Sequence, residues 1–158
     1  MGTFTFESSG ITVRLRAVAP LLAQRVVASF PPPEPPMVRV TVGDTEMLEP
    51  NPADPAHAQA LARHNQRVNE RILDTCILFG VVDDLDLDAR AAVAAMRRSL
   101  RAVGLDAVDE DDRLIYIKYV AILDPQEGGA FVAAVLQAPS EAAVQRHAAA
   151  FRGPVPGA

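Results

Sequence analysis

Residues 56–80 read AHAQALARHNQRVNERILDTCILFG, and the fold class turns on this run. Leu61, Val68, Ile72, Cys76 and Phe79 recur at intervals of three, four or seven, while Arg63, Gln66, Arg67, Glu70 and Arg71 fill the rest. At about 100° per residue this spacing lines one face of a helix. Asp54 followed by Pro55 supplies an N-cap and a first helical position, and Gly80 is placed to end the helix as a left-handed C′ residue. The longest helix of the chain is therefore expected over Ala56–Phe79.

Downstream the same period returns. Val93, Met96, Leu100 and Val103 share one side of a helix expected from Asp88 to Val103, which again ends at a glycine, Gly104. Acidic residues stand before it, at Asp83, Asp84, Asp86 and Asp88, and before the next segment, from Asp109 to Asp112. There they complement the positive ends of helices. Leu114–Leu123, LIYIKYVAIL, is rich in β-branched and aromatic residues, which leaves a strand open. It follows an acidic cap and stops at Asp124-Pro125, which favours a helix. Ala130–Gln137 and, after Ser140 as N-cap, Glu141–Phe151 complete the helices, and GPVPGA at 153–158 is expected to be loose.

Upstream the period drops to two. Phe4 and Phe6 share one face, and so do Ile11, Val13 and Leu15, with Ser8-Ser9-Gly10 between them; this is a hairpin whose other face carries Thr12, Arg14 and Arg16. After Pro20, Leu22, Val26 and Phe30 mark a short helix that stops at Pro31. Five residues of PPPEPP, 31–36, lack an N–H, so the segment is a stiff polyproline II bridge that spaces two units. Val38, Val40 and Val42 then alternate with Arg39 and Thr41 before a turn at Gly43-Asp44, a second small hairpin. The expected architecture is mainly α with a small β portion. A hairpin plus short helix fills 1–30, the bridge and small hairpin 31–55, a helical bundle of about four helices 56–152, and a flexible tail 153–158.

Composition narrows the function. A chain of 158 residues suits one ordinary domain that buries roughly two-thirds of its unfolded surface. It is 49% apolar but only 5% aromatic, so the core should be thin and aliphatic. A net charge of −5 repels a phosphate backbone on average, which argues against nucleic-acid binding. The run Leu114–Leu123 is too short for a membrane span and is broken by Lys118. MGTFTFESSG has neither the basic start nor the apolar stretch of a secretory signal. The single Cys76 excludes an internal disulfide, and its plainest role is a small buried apolar residue.

Motifs for chemistry fail one by one. Asp84, Asp86 and Asp88 match positions one, three and five of a calcium loop, but Ala89 and Ala95 stand where the glycine and the bidentate glutamate belong. His57 and His64 lie two helical turns apart, too far to share a metal readily, and His147 has no ligand at suitable spacing. No GxSxG, GxGxxG, Walker loop, HExxH or CxxC occurs. No cofactor, metal or catalytic residue is expected, although carboxylates from distant positions can meet in space. The bridge offers PxxP spacing at Pro32/Pro35 and Pro33/Pro36, but no basic residue lies beside it to orient docking, and a spacer is the commoner use.

ESSGITVRLRAVAPLL resembles the SGLTVRVR opening of tail assembly chaperones from long-tailed bacteriophages. PPPEPPMVRV, EPNPADP and NERILDTCILFGV, with the later RLIYIKYVAIL and SEAAVQRHAAAFRG, resemble small proteins of phage tail modules. The resemblance implies a mainly helical, non-enzymatic protein that coats the tape measure protein in the host bacterial cytoplasm before the tail tube polymerises. It implies no catalytic residues. The partners it suggests are the tape measure or tail tube protein, with self-association possible. The face of Leu61, Val68, Ile72, Cys76 and Phe79 is the candidate protein-binding surface, set against ordinary core packing. A permanent component of the virion tail or neck is the alternative, and a cytosolic enzyme the third reading.

Overall fold

Phe4 and Phe6 alternate with threonines, and Val13 and Leu15 with Thr12 and Arg14, and this pattern builds the first hairpin. In the computed structural model, which describes residues 2–43, 45–105 and 110–138, β1 (Gly2–Thr5) pairs antiparallel with β2 (Thr12–Leu15), with Phe4 opposite Val13. Gly10, at φ 71°, lets the turn close. Its N–H donates to the Phe6 carbonyl at 2.7 Å, and the Phe6 N–H to the Ile11 carbonyl at 2.8 Å. Val13 and Leu15 are buried while Thr12 and Arg14 are exposed, as the alternation predicts.

Helix starts follow the carboxylates. Asp54 accepts from the His57 N–H at 3.0 Å and opens α2 (Pro55–Gly80). Asp86 caps α3 (Leu87–Ala102) through the Ala89 N–H at 2.8 Å. Asp111 caps α4 (Asp112–Tyr116), and Asp124 caps α5 (Pro125–Gln137). With α1 (Pro20–Ala28) before them, and β3 (Met37–Val42) paired with β4 (Thr45–Pro50), the chain is mainly α with a small β portion. Leu114–Leu123 is not a strand: α4 passes into a π-helical turn over Ile117–Ala121, where the Ile122 N–H donates to the Ile117 carbonyl at 2.9 Å. Lys118, the break in that apolar run, pairs with Asp74 at 3.1 Å. Burial would lower its pKa, but the hydrogen bond and charge of Asp74 outweigh this and raise it.

Three expectations change. Gly80 does not end α2 in the left-handed region; the described glycines with positive φ are Gly10, Gly43 and Gly104. Gly80 is needed for space, since a Cβ there would sit 2.5 Å from Val135 Cγ1. The last helix starts five residues before Ala130, because Asp124-Pro125 is its cap and first position as well as the end of the segment before. The compact units also differ from the expected segments. One comprises the described residues of Met1–Pro20 and Leu73–Ala158, the other Leu21–Ile72. The bridge at 31–36 therefore lies inside a unit, and the division falls within α2. The physical reason is the free edge of β2, to which residues 80–82 bond. The Arg16 N–H donates to the Gly80 carbonyl at 2.8 Å and the Val82 N–H to the Arg14 carbonyl at 3.1 Å. The turn residue Asp44, Asp109, the Ser140 cap, the helix at 141–151, His147 and the tail lie outside the described residues.

The core of the first unit is mixed, not simply aliphatic. Phe4, Phe6 and Phe131 form a triad with ring centroids 5.0–5.6 Å apart, so half of the six phenylalanines meet at one place. Val93, Leu100 and Ile115 form a second cluster, flanked by Met96, Tyr116 and Tyr119. Ser8 ties the hairpin turn to α5. Its N–H donates to Glu127 Oε1 at 2.9 Å and its hydroxyl to Oε2. These donors hold the Glu127 carboxyl below its ordinary value of 4.5. A depressed folded-state pKa means stabilisation that is complete above the unfolded value and is lost as pH falls through the folded one. Melting temperature should therefore start to drop as pH falls below about 4.5, and Ser8→Ala should flatten the part of that slope due to Glu127. An identical acid slope in Ser8→Ala and the parent would show that the contact carries no such linkage.

Candidate protein-binding surface

The helical face that the sequence singles out is shared between the two compact units. Leu61, Val68 and Ile72 lie in the second unit, Cys76 and Phe79 in the first. Val68 and Cys76 are buried at 8% and 1% exposure, Ile72 is half-buried, and Leu61 and Phe79 are exposed, Phe79 by 50%. Two of the five positions are thus core, as amphipathic stripes commonly are. Burial also pushes the Cys76 thiol up to about 11, so it stays protonated and unreactive near neutral pH.

The first unit holds a cavity of about 390 Å³, lined by Arg14, Asp83, Asp84, Asp86, Arg113 and Tyr116 among others. Four of its charged groups, Arg14, Asp83, Asp86 and Arg113, serve the fold. Asp83 pairs with Arg14, and Asp86 caps α3. Arg113 is held by Asp111 at 3.2 Å, a contact that lowers the Asp111 pKa and raises its own. Tyr116 is kept protonated by burial and by the charge of Asp86.

The second unit differs in kind. Of the buried apolar residues described, only Val68 belongs to it; the others, from Phe6 to Val135, lie in the first. Eight of its large apolar side chains stay in solvent instead, Leu21, Val27, Met37, Val38, Val42, Met47, Leu48 and Leu61, while Leu22, Val26, Phe30, Val40 and Ile72 are half-buried. Five of the eight sit on the second hairpin. Pairing of Val40 with Met47 and of Arg39 with Leu48 puts Val38, Val40, Val42 and Met47 on one face, and Met37, Arg39 and Leu48 on the other. Neither face is covered, with Val42 58% exposed on one and Leu48 61% exposed on the other. The pair Arg39–Glu46, 3.6 Å apart and open to solvent, adds little hold. Beside the hairpin's sequence, Pro31 and Pro33 line a groove of about 320 Å³ with Ala60, Arg63, His64 and Arg67 of α2, one wall of which is cationic.

The alternating valines of β3 predict this hairpin, but by themselves they do not mark it as an exposed apolar surface. A signal was present: the adjacent pairs Met37-Val38 and Met47-Leu48 put apolar side chains on both faces, where a hairpin with one packed face alternates with polar residues. No helix of the described residues is long and apolar enough to cross a membrane. Compared with family models, curated proteins and solved structures, the chain matches none.

Proposed function

We propose that the chain is a non-catalytic bacteriophage tail assembly protein, a chaperone that binds the tape measure protein in the host cytoplasm before the tail tube forms around it. The observation that carries this reading is the second unit, in which eight large apolar side chains are exposed and only Val68 is fully buried among the described residues. Contiguous apolar surface on a folded chain marks an interaction site, and a two-stranded hairpin with both faces wet gains most of its stability from whatever covers it. A long helical partner offers apolar stripes suited to such a surface, and the chain's net charge of −5 keeps the loaded complex dispersed. The likeness of ESSGITVRLRAVAPLL to tail assembly chaperones supplies the identity of the partner.

Two measurements test it. Co-expressed tape measure protein should co-purify with the chain, and Met47→Glu with Leu48→Glu should abolish that retention while the far-ultraviolet circular dichroism stays unchanged. Mass spectrometry of purified virions should find the chain absent. Its presence at a fixed, stoichiometric copy number would replace the chaperone reading with that of a tail or neck component.

A further inference from the structure

The two outer edges of the second hairpin are not equivalent. The Asn51 N–H donates to the Pro36 carbonyl at 2.8 Å, which marks 36/51 as a hydrogen-bonded pair at the end of the ladder. Antiparallel ladders alternate, so 38/49, 40/47 and 42/45 are bonded pairs and 37/50, 39/48 and 41/46 are not. Met37, Arg39 and Thr41 therefore turn their N–H and C=O groups outward on β3, and Glu46, Leu48 and Pro50 turn theirs outward on β4. Pro50 has no N–H to offer, and Glu46 and Glu49 place two negative charges on that strand; prolines and charges of this kind discourage edge pairing. The β3 edge has no proline and no carboxylate. Its six residues MVRVTV hold one charge, and among the described residues no third strand lies beside it.

We propose that β3 is a self-association edge, where a second copy of this chain pairs antiparallel about a two-fold axis at Val40. Self-pairing through outward-facing groups allows only registers in which odd-numbered residues face odd-numbered ones. Centring on Arg39 would set two guanidinium groups directly opposite, which is unfavourable. Centring on Val40 sets Arg39 opposite Thr41 of the second copy, twice by symmetry. Val38 then faces Val42 of that copy, and a stripe of six valines runs along one face. The product is a four-stranded sheet with isologous symmetry, and a hairpin that is marginal alone becomes the outer half of a stable one. This inference concerns the edge of the hairpin. It stands whether or not the faces bind a tape measure protein.

Thr41 and Glu46 are cross-strand neighbours in one non-bonded pair, so proline at either position removes an outward N–H and spares the internal ladder. Sedimentation equilibrium of the full chain at roughly 100 µM should show dimer. Thr41→Pro should weaken dimerisation at least roughly tenfold, the loss expected when symmetry removes two bonds, and Glu46→Pro should leave it unchanged. A monomeric parent overturns the proposal, as does equal weakening by the two prolines or assembly beyond dimers. Cross-linking reports the register independently of how well the proline variants fold. Cα atoms of a non-bonded pair lie roughly 4.5 Å apart, within disulfide reach, so Val40→Cys oxidised with diamide should run as a covalent dimer. Val38→Cys, roughly 13 Å from its own copy in this register, should not. The buried Cys76 does not compete. Equal cross-linking at both positions, or none at position 40, overturns the register.

Discussion

Phe131→Ala is expected to lower the unfolding free energy by about 3–5 kcal/mol, the range for deleting a buried phenylalanine ring. Phe131 has no exposed surface and touches Phe6 at 5.5 Å and Phe4 at 5.6 Å between centroids. It is the aromatic contribution of α5 to a triad whose other two members come from the first hairpin segment. Removing it leaves a void among rigid rings that cannot close without moving the hairpin. Folded domains keep only about 5–15 kcal/mol in total, so the midpoint of urea denaturation should fall steeply. A loss below about 1 kcal/mol would mean that the site collapses freely and the triad is not a structural centre.

Gly80→Ala is expected to be nearly as damaging, at about 3 kcal/mol, for the opposite reason. The added methyl would lie 2.5 Å from Val135 Cγ1, 3.2 Å from Val135 Cγ2 and 3.4 Å from Val18 Cγ2. Val135 is completely buried and β-branched, so it has no free rotamer to retreat into. Val135→Ala alone opens a cavity and also destabilises. Combined with Gly80→Ala, the two changes exchange volume across one contact, and the double variant should be more stable than the sum of the single losses by about 1 kcal/mol or more. Strict additivity would remove Val135 as the reason for glycine at position 80.

The elements were legible where local chemistry sets them. Alternation at Phe4, Phe6, Val13 and Leu15 declared the first hairpin, and Asp54, Asp86 and Asp111 declared three helix starts, because each needs only neighbours within a few residues. What stayed hidden depends on contacts between distant residues. Nothing near Gly80 and Val82 says that they bond to Arg16 and Arg14, so the unit that joins the first hairpin to the later helices could not be drawn, and the bridge at 31–36 looked like a boundary. Gly80 sits where a C-cap glycine belongs, yet its role is set by Val135, fifty-five positions later in the sequence. The candidate face on α2 combined residues that belong to two units. The second hairpin was legible but its exposure was not, because a strand pattern states which residues share a face, not whether anything covers that face.

Pro50 bears on how such a protein behaves when it is abundant. A strand that recruits its own copy is ordinarily the start of an open-ended polymer, since each addition exposes a fresh edge like the last. Here the strand left outside after one pairing event is β4, whose proline and two glutamates act as a chain terminator on both flanks of the new sheet. Raising the concentration then fills a single species of fixed size and does not lengthen a fibre.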